Sequence, residues 1–382
     1  MREVSCTSDV FRVAGAVEAC AHGSGLRVRR LPDWALARTP DPVLHLMSGM
    51  SAGVRLGLVS DTGRMELDVT ATGVRYSGGV RRPVTFDLLV DGVLHGRRAL
   101  AEGPTACIDY ETAPPKVILQ PGAMETLVFD DLPGRPATLE LWLPQAAAVE
   151  VRALRIDDGA SAAPHPDLQP VWAHYGSSIS HGMDADGPSE TWPAVAARSL
   201  GLSLVSLGFA AQCQMDGFVA RLLSRLPCDR ISLKLGVNLV NQDVMRERAF
   251  IPAVHAFLDT VRDARPDVPI LVISPLICPM HETTPGPTLR VPPGYRTVPR
   301  PDELAFGALT NTRIRGLLRD IVTARQAAGD AALQYLDGLD LLGWADAHVL
   351  HDGLHPNADG LRLIGQRFAS WAQGPSGWHL SP

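Results

Sequence analysis

Lysine is almost missing from this chain: Lys116 and Lys234 stand alone among 35 basic residues, the rest being arginine. That bias reads as high-GC coding rather than as function. Basic residues nowhere gather beside an aromatic stacking platform, and the net charge of -6 gives no footprint for a polyanion, so nucleic acid is not an expected partner. Long apolar runs are missing too, with none near the roughly 18 residues that a membrane-spanning helix needs. The opening Met1-Arg2-Glu3-Val4-Ser5-Cys6 has an early acid and no apolar core, so neither a secretion signal nor a membrane is expected. The cysteines Cys6, Cys20, Cys107, Cys213, Cys228 and Cys278 form no CxxC pair and are too sparse for a disulfide framework. Free, mostly buried thiols are expected, which suits a reducing, cytoplasmic location.

What is present is apolar material, 46% of 382 residues against 20% charged, enough for two cores. Residues 1–165 alternate short strand-like runs, at 54–59, 65–70, 85–90 and 138–143, with Gly, Pro and Asp punctuation. Period two with frequent turns predicts a β-sandwich. Asp91-Gly92 is a hairpin signal joining Phe86–Val90 to the residues from Val93. Small residues and prolines over 157–166 suit a linker.

The pattern then changes. From 166 to 382, apolar runs near 171–175, 202–207, 230–235, 269–274 and 333–337 alternate with amphipathic segments near 190–200, 214–226, 247–264, 302–328 and 358–372. This βαβα rhythm predicts a parallel sheet with helices on both faces. Residues 277–301, with Pro279, Pro285, Pro287, Pro292, Pro293 and Pro299, show no usable period. They are expected as a flap beside an active site, or else as a proline-stiffened surface excursion.

Four short stretches carry one chemistry. In Tyr175-Gly176-Ser177-Ser178-Ile179 a strand ends in glycine and Ser178 offers a hydroxyl on the following turn. The spacing is not that of a GxSxG elbow, and Ser177 and Ser180 read as ordinary turn residues. Asp352-Gly353-Leu354-His355-Pro356 offers an imidazole with a carboxylate three residues upstream, the two partners that activate a serine. His351 is the alternative base. His348, His351 and His355 have metal-like spacing, but Gly353 and Pro356 interrupt the helical face that ligation needs, so no metal is expected. Gly208 and Asn238 each follow an apolar run and are candidate oxyanion donors. The plainer readings are a turn glycine and a helix N-cap.

With a Ser, a Gly, an Asn and a DxxH pair in that order, residues 171–375 resemble the SGNH, or GDSL-type, hydrolase superfamily. The resemblance implies a flavodoxin-like three-layer α/β/α domain at 166–382 and no bound cofactor or metal. It also implies an acyl-serine intermediate on Ser178, activated by His355 and Asp352, with the Ser178 N–H, Gly208 N–H and Asn238 amide as oxyanion donors. Two positions depart from the family pattern. Ser177 stands where an acidic residue is usual and is expected to brace the turn, and Leu239 follows Asn238 where many members carry Asp.

An N-terminal β-sandwich at 1–165 fused to this fold resembles a subgroup holding carbohydrate esterases and an acyltransferase of natural-product biosynthesis. The expectation is a serine acyltransferase moving an acyl group from an acyl-CoA to a hydroxyl of a polyketide or related natural product. The alternative is a carbohydrate acetyl esterase or small-ester hydrolase. Either way the partners are a small-molecule acyl donor and a hydroxyl acceptor. The sandwich is a structural support, or loops near Trp34 and Tyr110 complete the acceptor pocket.

Overall fold

The computed structural model describes residues 1–5, 9–22, 25–110, 112, 115–166, 169–291, 294–298, 300–375 and 377–378. Cys6, Pro292, Pro293 and Pro299 lie outside the described residues. The chain divides into two compact units. The first is Met1–Gln169 with Asp186–Ser189 and Ser203–Ser206; the second is Pro170–Ala185, Glu190–Leu202 and Leu207–Pro382.

Among the described residues, the first unit holds two sheets, of eight and six strands. Strand Met65–Tyr76 shows why they face each other: from Met65 to Ala71 every second residue is buried, the period of a strand with one face in a core. Leu67, Val69, Phe129 and Val149 from the larger sheet meet Leu56, Phe86, Leu88 and Leu139 from the smaller in one apolar cluster. The turn at Asp91-Gly92 joins Val84–Val90 to Val93–Leu100, with φ of 49° and 78° at its two residues. Both are left-handed, as a two-residue hairpin turn that follows the strand twist requires.

A further sheet has five strands in the spatial order Ser203–Gly208, Val171–Gly176, Arg230–Lys234, Ile270–Ile273 and Leu333–Leu336. By chain order this is 2-1-3-4-5, the flavodoxin-like arrangement. Ser203–Gly208, Arg230–Lys234 and Ile270–Ile273 are buried at every residue, which is why their sequences read as runs rather than alternations. Helix Trp192–Leu200 packs on Ala358–Gln373, while Gly217–Arg225 packs on Glu247–Arg262, giving the outer layers of an α/β/α fold.

Two expectations are corrected. The amphipathic segment 302–328 is two helices, Asp302–Ala305 and Asn311–Ala327, because Gly307 turns left-handed at φ 70° and the Thr310 hydroxyl caps Arg313 N–H to restart the helix. Residues 277–301 are not without regular structure: Thr288–Val291 pairs antiparallel with Gly294–Thr297. The hairpin base is pinned by His281, whose Nδ1 meets Thr284 O at 3.0 Å and whose Nε2 meets the Thr288 hydroxyl at 2.5 Å. Glu282 is bidentate to Arg315 at 2.6 and 2.7 Å in a buried ion pair. Among the described residues no helix is long and apolar enough to cross a membrane.

Candidate active site

Strand Val171–Gly176 ends at the sheet edge, Ser177 stays extended, and Ser178 begins a single helical turn, Ser178–His181, closed by left-handed Gly182 at φ 73°. An N–H in the first turn of a helix has no intrahelical acceptor, so the Ser178 amide is a donor in waiting beside its own hydroxyl. The hydroxyl lies 3.0 Å from His355 Nε2. His355 Nδ1 lies 2.7 Å from Asp352 Oδ2, and Asp352 Oδ1 accepts from Leu354 N–H at 2.9 Å and His355 N–H at 2.7 Å. Left-handed Gly353, at φ 82°, makes that tight loop possible.

The carboxylate is thereby held from both ends. Burial pushes the Asp352 carboxyl up, but the hydrogen bond and charge of His355 and the two backbone N–H groups outweigh it and bring it down to about 2. A charged Asp352 requires a proton on Nδ1, leaving Nε2 as the acceptor for the Ser178 hydroxyl.

Gly208 closes strand Ser203–Gly208, and a Cβ there would sit 2.5 Å from both His181 N and Ser180 C. The close approach of its backbone to the Ser178 turn, rather than a turn of its own, is what demands glycine. Asn238 is not an N-cap: Gly236 at φ 123° holds that position, and Asn238 lies inside helix Val237–Asn241. Its Oδ1 accepts from Cys213 N–H at 3.1 Å, which leaves the Nδ2 amide as donor. Ser178, Gly208 and Asn238 all lie at or just after the C-terminal ends of parallel strands, the edge where such sheets bind ligands.

The remaining named residues sit apart from the Ser178 hydroxyl or do something different. His351 Nε2 is 3.6 Å from Asp184 Oδ1, its ring centroid 6.5 Å from that of His355, so His355 and not His351 is the imidazole at Ser178. Buried His181 accepts from Ala210 N–H at Nδ1. Ser177 does not brace the turn, for its buried hydroxyl has no partner among the described residues. The brace is Ser180, whose hydroxyl lies 2.7 Å from His174 Nε2; His174 Nδ1 is 2.7 Å from the Ser232 hydroxyl, which also accepts from Trp172 Nε1 at 2.8 Å. Sequence reasoning missed this chain, although a histidine inside an apolar strand was a visible sign of it.

Also missed were the side chains that flank the imidazole. The Tyr295 ring stands at 65° to that of His355 with centroids 5.7 Å apart. The Cys278 thiol, 3.8 Å from Gly353 O, is no rival nucleophile, since burial pushes it up to about 12. Among the described residues, Cys213, Cys228 and Cys278 are buried free thiols, Cys107 is half-buried and Cys20 is exposed. No group of three or more His, Cys, Asp or Glu side chains among the described residues is placed to hold a metal. In the first unit, Trp34 lies in helix Asp33–Leu36 rather than on a loop, and exposed Tyr110 stacks on Tyr76 at 6.2 Å.

Residues 174–363 match the model of the GDSL-like lipase/acylhydrolase family. No curated protein matches the sequence. Among solved structures, the chain is similar to the salicylyl-acyltransferase SsfX3 from a tetracycline biosynthetic pathway, at 28% identity and a TM-score of 0.80, over 96% of this chain and 95% of that one. It shares its fold with a family two carbohydrate esterase from Cellvibrio japonicus, at 12% identity and a TM-score of 0.57, over 97% and 96% of the two chains. An acetyl xylan esterase from the rumen bacterium Butyrivibrio proteoclasticus has the same fold, at 12% identity and a TM-score of 0.56, over 99% and 100%.

Proposed function

Because residues 174–363 belong to the GDSL-like lipase/acylhydrolase family, we propose that this enzyme transfers acyl groups through an ester on Ser178. The observation that carries the reading is the unbroken relay from Ser178 Oγ to His355 Nε2 at 3.0 Å and from His355 Nδ1 to Asp352 at 2.7 Å. Ser178 Oγ adds to the carbonyl carbon of the donor while its proton passes to His355 Nε2, and Asp352 stabilises the imidazolium. The carbonyl oxygen, now an oxyanion, is met by the Ser178 and Gly208 N–H groups and the Asn238 amide. Collapse expels the donor's alcohol or thiol, which takes the proton from His355. An acceptor hydroxyl then gives its proton to Nε2, attacks the acyl carbon and releases Ser178, which recovers that proton.

For the acceptor we favour a hydroxyl of a polyketide or related natural product, with an acyl-CoA thioester as donor, no bound cofactor, and a cytoplasmic setting. Support comes from the likeness to the salicylyl-acyltransferase, which is higher in identity and in TM-score than the likeness to the carbohydrate esterases. The esterases favour a second reading, in which water resolves the acyl-enzyme of an acetylated sugar or small ester.

Rapid-quench intact mass with an activated ester should show one acyl group on the protein and none on Ser178→Ala, which should lose at least about 10³-fold in kcat. Near-native turnover by Ser178→Ala would refute the nucleophile. With an acyl-CoA donor, product partition between free acid and acylated acceptor separates the two readings.

A further inference from the structure

The chemistry of the second half-reaction locates the acceptor. Its oxygen must reach both the acyl carbon on Ser178 and His355 Nε2, the atom that takes its proton, so the acceptor's carbon skeleton lies against whatever flanks that imidazole. Beside Asp352 and the His351 ring, whose centroid lies 6.5 Å away, apolar side chains flank it. Val237, Cys278 and Leu354 form a small buried cluster on which half-buried Met280 and Tyr295 pack. Val237 is the chain neighbour of Asn238, and Leu354 that of His355, so the cluster is built into the same segments that deliver the polar groups.

The hairpin is set tightly against this spot. A Cβ on Gly294 would meet Asp352 O at 2.7 Å, and one on Gly353 would meet Met280 Cε at 3.0 Å. Tyr295 thus comes to His355 from backbone in contact with the Asp352 loop, while the ion pair of Glu282 and Arg315 anchors the hairpin base.

Resting on the acyl-Ser178 reading above, we infer that Tyr295 and Met280 form the acceptor platform, and that it selects a hydroxyl carried on an apolar or aromatic skeleton over a sugar hydroxyl. A sugar would bring several hydroxyls that need partners when desolvated, and a thioether with a ring face supplies few. A flat apolar skeleton loses nothing there and gains ring contact with Tyr295.

The test reads how a preformed acyl-enzyme partitions, which is independent of how fast it forms. With p-nitrophenyl acetate as donor, transfer to 2-phenylethanol and to methyl xyloside is measured against hydrolysis for the wild type, Tyr295→Ala and Tyr295→Phe. The wild type should prefer 2-phenylethanol. Tyr295→Ala should lower its transfer-to-hydrolysis ratio by several-fold to about tenfold, the range of an aromatic contact, and Tyr295→Phe should keep it.

A wild-type preference for methyl xyloside, an unchanged ratio in Tyr295→Ala, or equal loss of transfer and hydrolysis would overturn the platform. The last result would mean that the ring only steadies His355. A ratio lost equally in Tyr295→Phe would overturn it too, by assigning the effect to the phenol hydroxyl. Failure of the wild type to acylate with any ester would instead defeat the acyl-enzyme itself.

Discussion

Buried His174 makes the stability of the second unit depend on pH, in a direction and size that follow from its surroundings. The imidazole is fully buried, with the Trp192 ring edge-on at 4.7 Å and the Trp172 ring at 5.6 Å. Burial, with the charge of Lys234 as a lesser cause, pushes its pKa down to about 3. In the unfolded chain the same group titrates near 6.5. Between these values the unfolded state binds a proton that the native state does not, so stability falls as pH falls, starting near 6.5 and levelling off near 3. From pH 7 to pH 5 the loss is about 2 kcal/mol, a sizeable fraction of the roughly 5–15 kcal/mol that keeps a domain folded.

Urea unfolding followed at the second unit at pH 7, 6 and 5 should show this loss. His174→Gln keeps a donor and an acceptor but cannot titrate, so its unfolding free energy should fall by about 2 kcal/mol less over the same range. His281, which burial also pushes down, is common to both proteins and cancels in the difference. The variant should start lower at pH 7, because the Ser180 and Ser232 hydroxyls lose ideal partners at about 1–3 kcal/mol each. It should also turn over more slowly, Ser180 being part of the Ser178 turn. Parallel free-energy curves for the two proteins would refute the reasoning, for they would mean that His174 binds its proton equally in both states.

Two further substitutions probe the site. Asp352→Asn can still accept from the Leu354 and His355 N–H groups, but its amide forces the His355 proton onto Nε2. A loss of about 10⁴ in kcat with little change in melting temperature is expected, and a loss below tenfold would contradict the tautomer argument. Gly208→Ala puts a methyl 2.5 Å from His181 N and Ser180 C, so the strand end must withdraw and take its N–H with it; a fall of about 10² in single-turnover acylation by folded protein is expected, and an unchanged rate would remove Gly208 from the oxyanion site.

Legibility in the sequence followed what each segment had to bury. The parallel strands were readable because burial on both faces leaves continuous apolar runs, and Met65–Tyr76 because one buried face leaves alternation. Helix Asp302–Ala305 buries nothing, so its residues were absorbed into the amphipathic pattern of the helix that follows. The pairing of Thr288–Val291 with Gly294–Thr297 escaped because the paired residues are exposed or half-buried, leaving no period to detect. Ser177 was misjudged for a different reason: which of Ser177 and Ser180 meets a partner depends on His174 and Ser232 across two strands, and spacing along the chain does not contain that.

The site itself splits the same way. With Val171–Gly176 between Ser203–Gly208 and Arg230–Lys234 in one parallel sheet, the groups at or just after their C-terminal ends must emerge on one edge, so Ser178, Gly208 and Asn238 follow from topology alone. The sheet imposes nothing on His355, which comes after the last strand and a further helix. Its placement rests on short-range bonds: Asp352 folding back onto Leu354 and His355, Leu350 pairing with Pro356, and Asn357 capping the helix Ala358–Gln373 through Gly360 N–H. All of these lie within eleven residues, 350 to 360, which is why a five-residue block could announce the imidazole as clearly as the whole sheet announced the serine. Neither source of order reaches Tyr295, whose position beside His355 depends on a long excursion held by Glu282 and Arg315, and that is where a reading of the sequence stops.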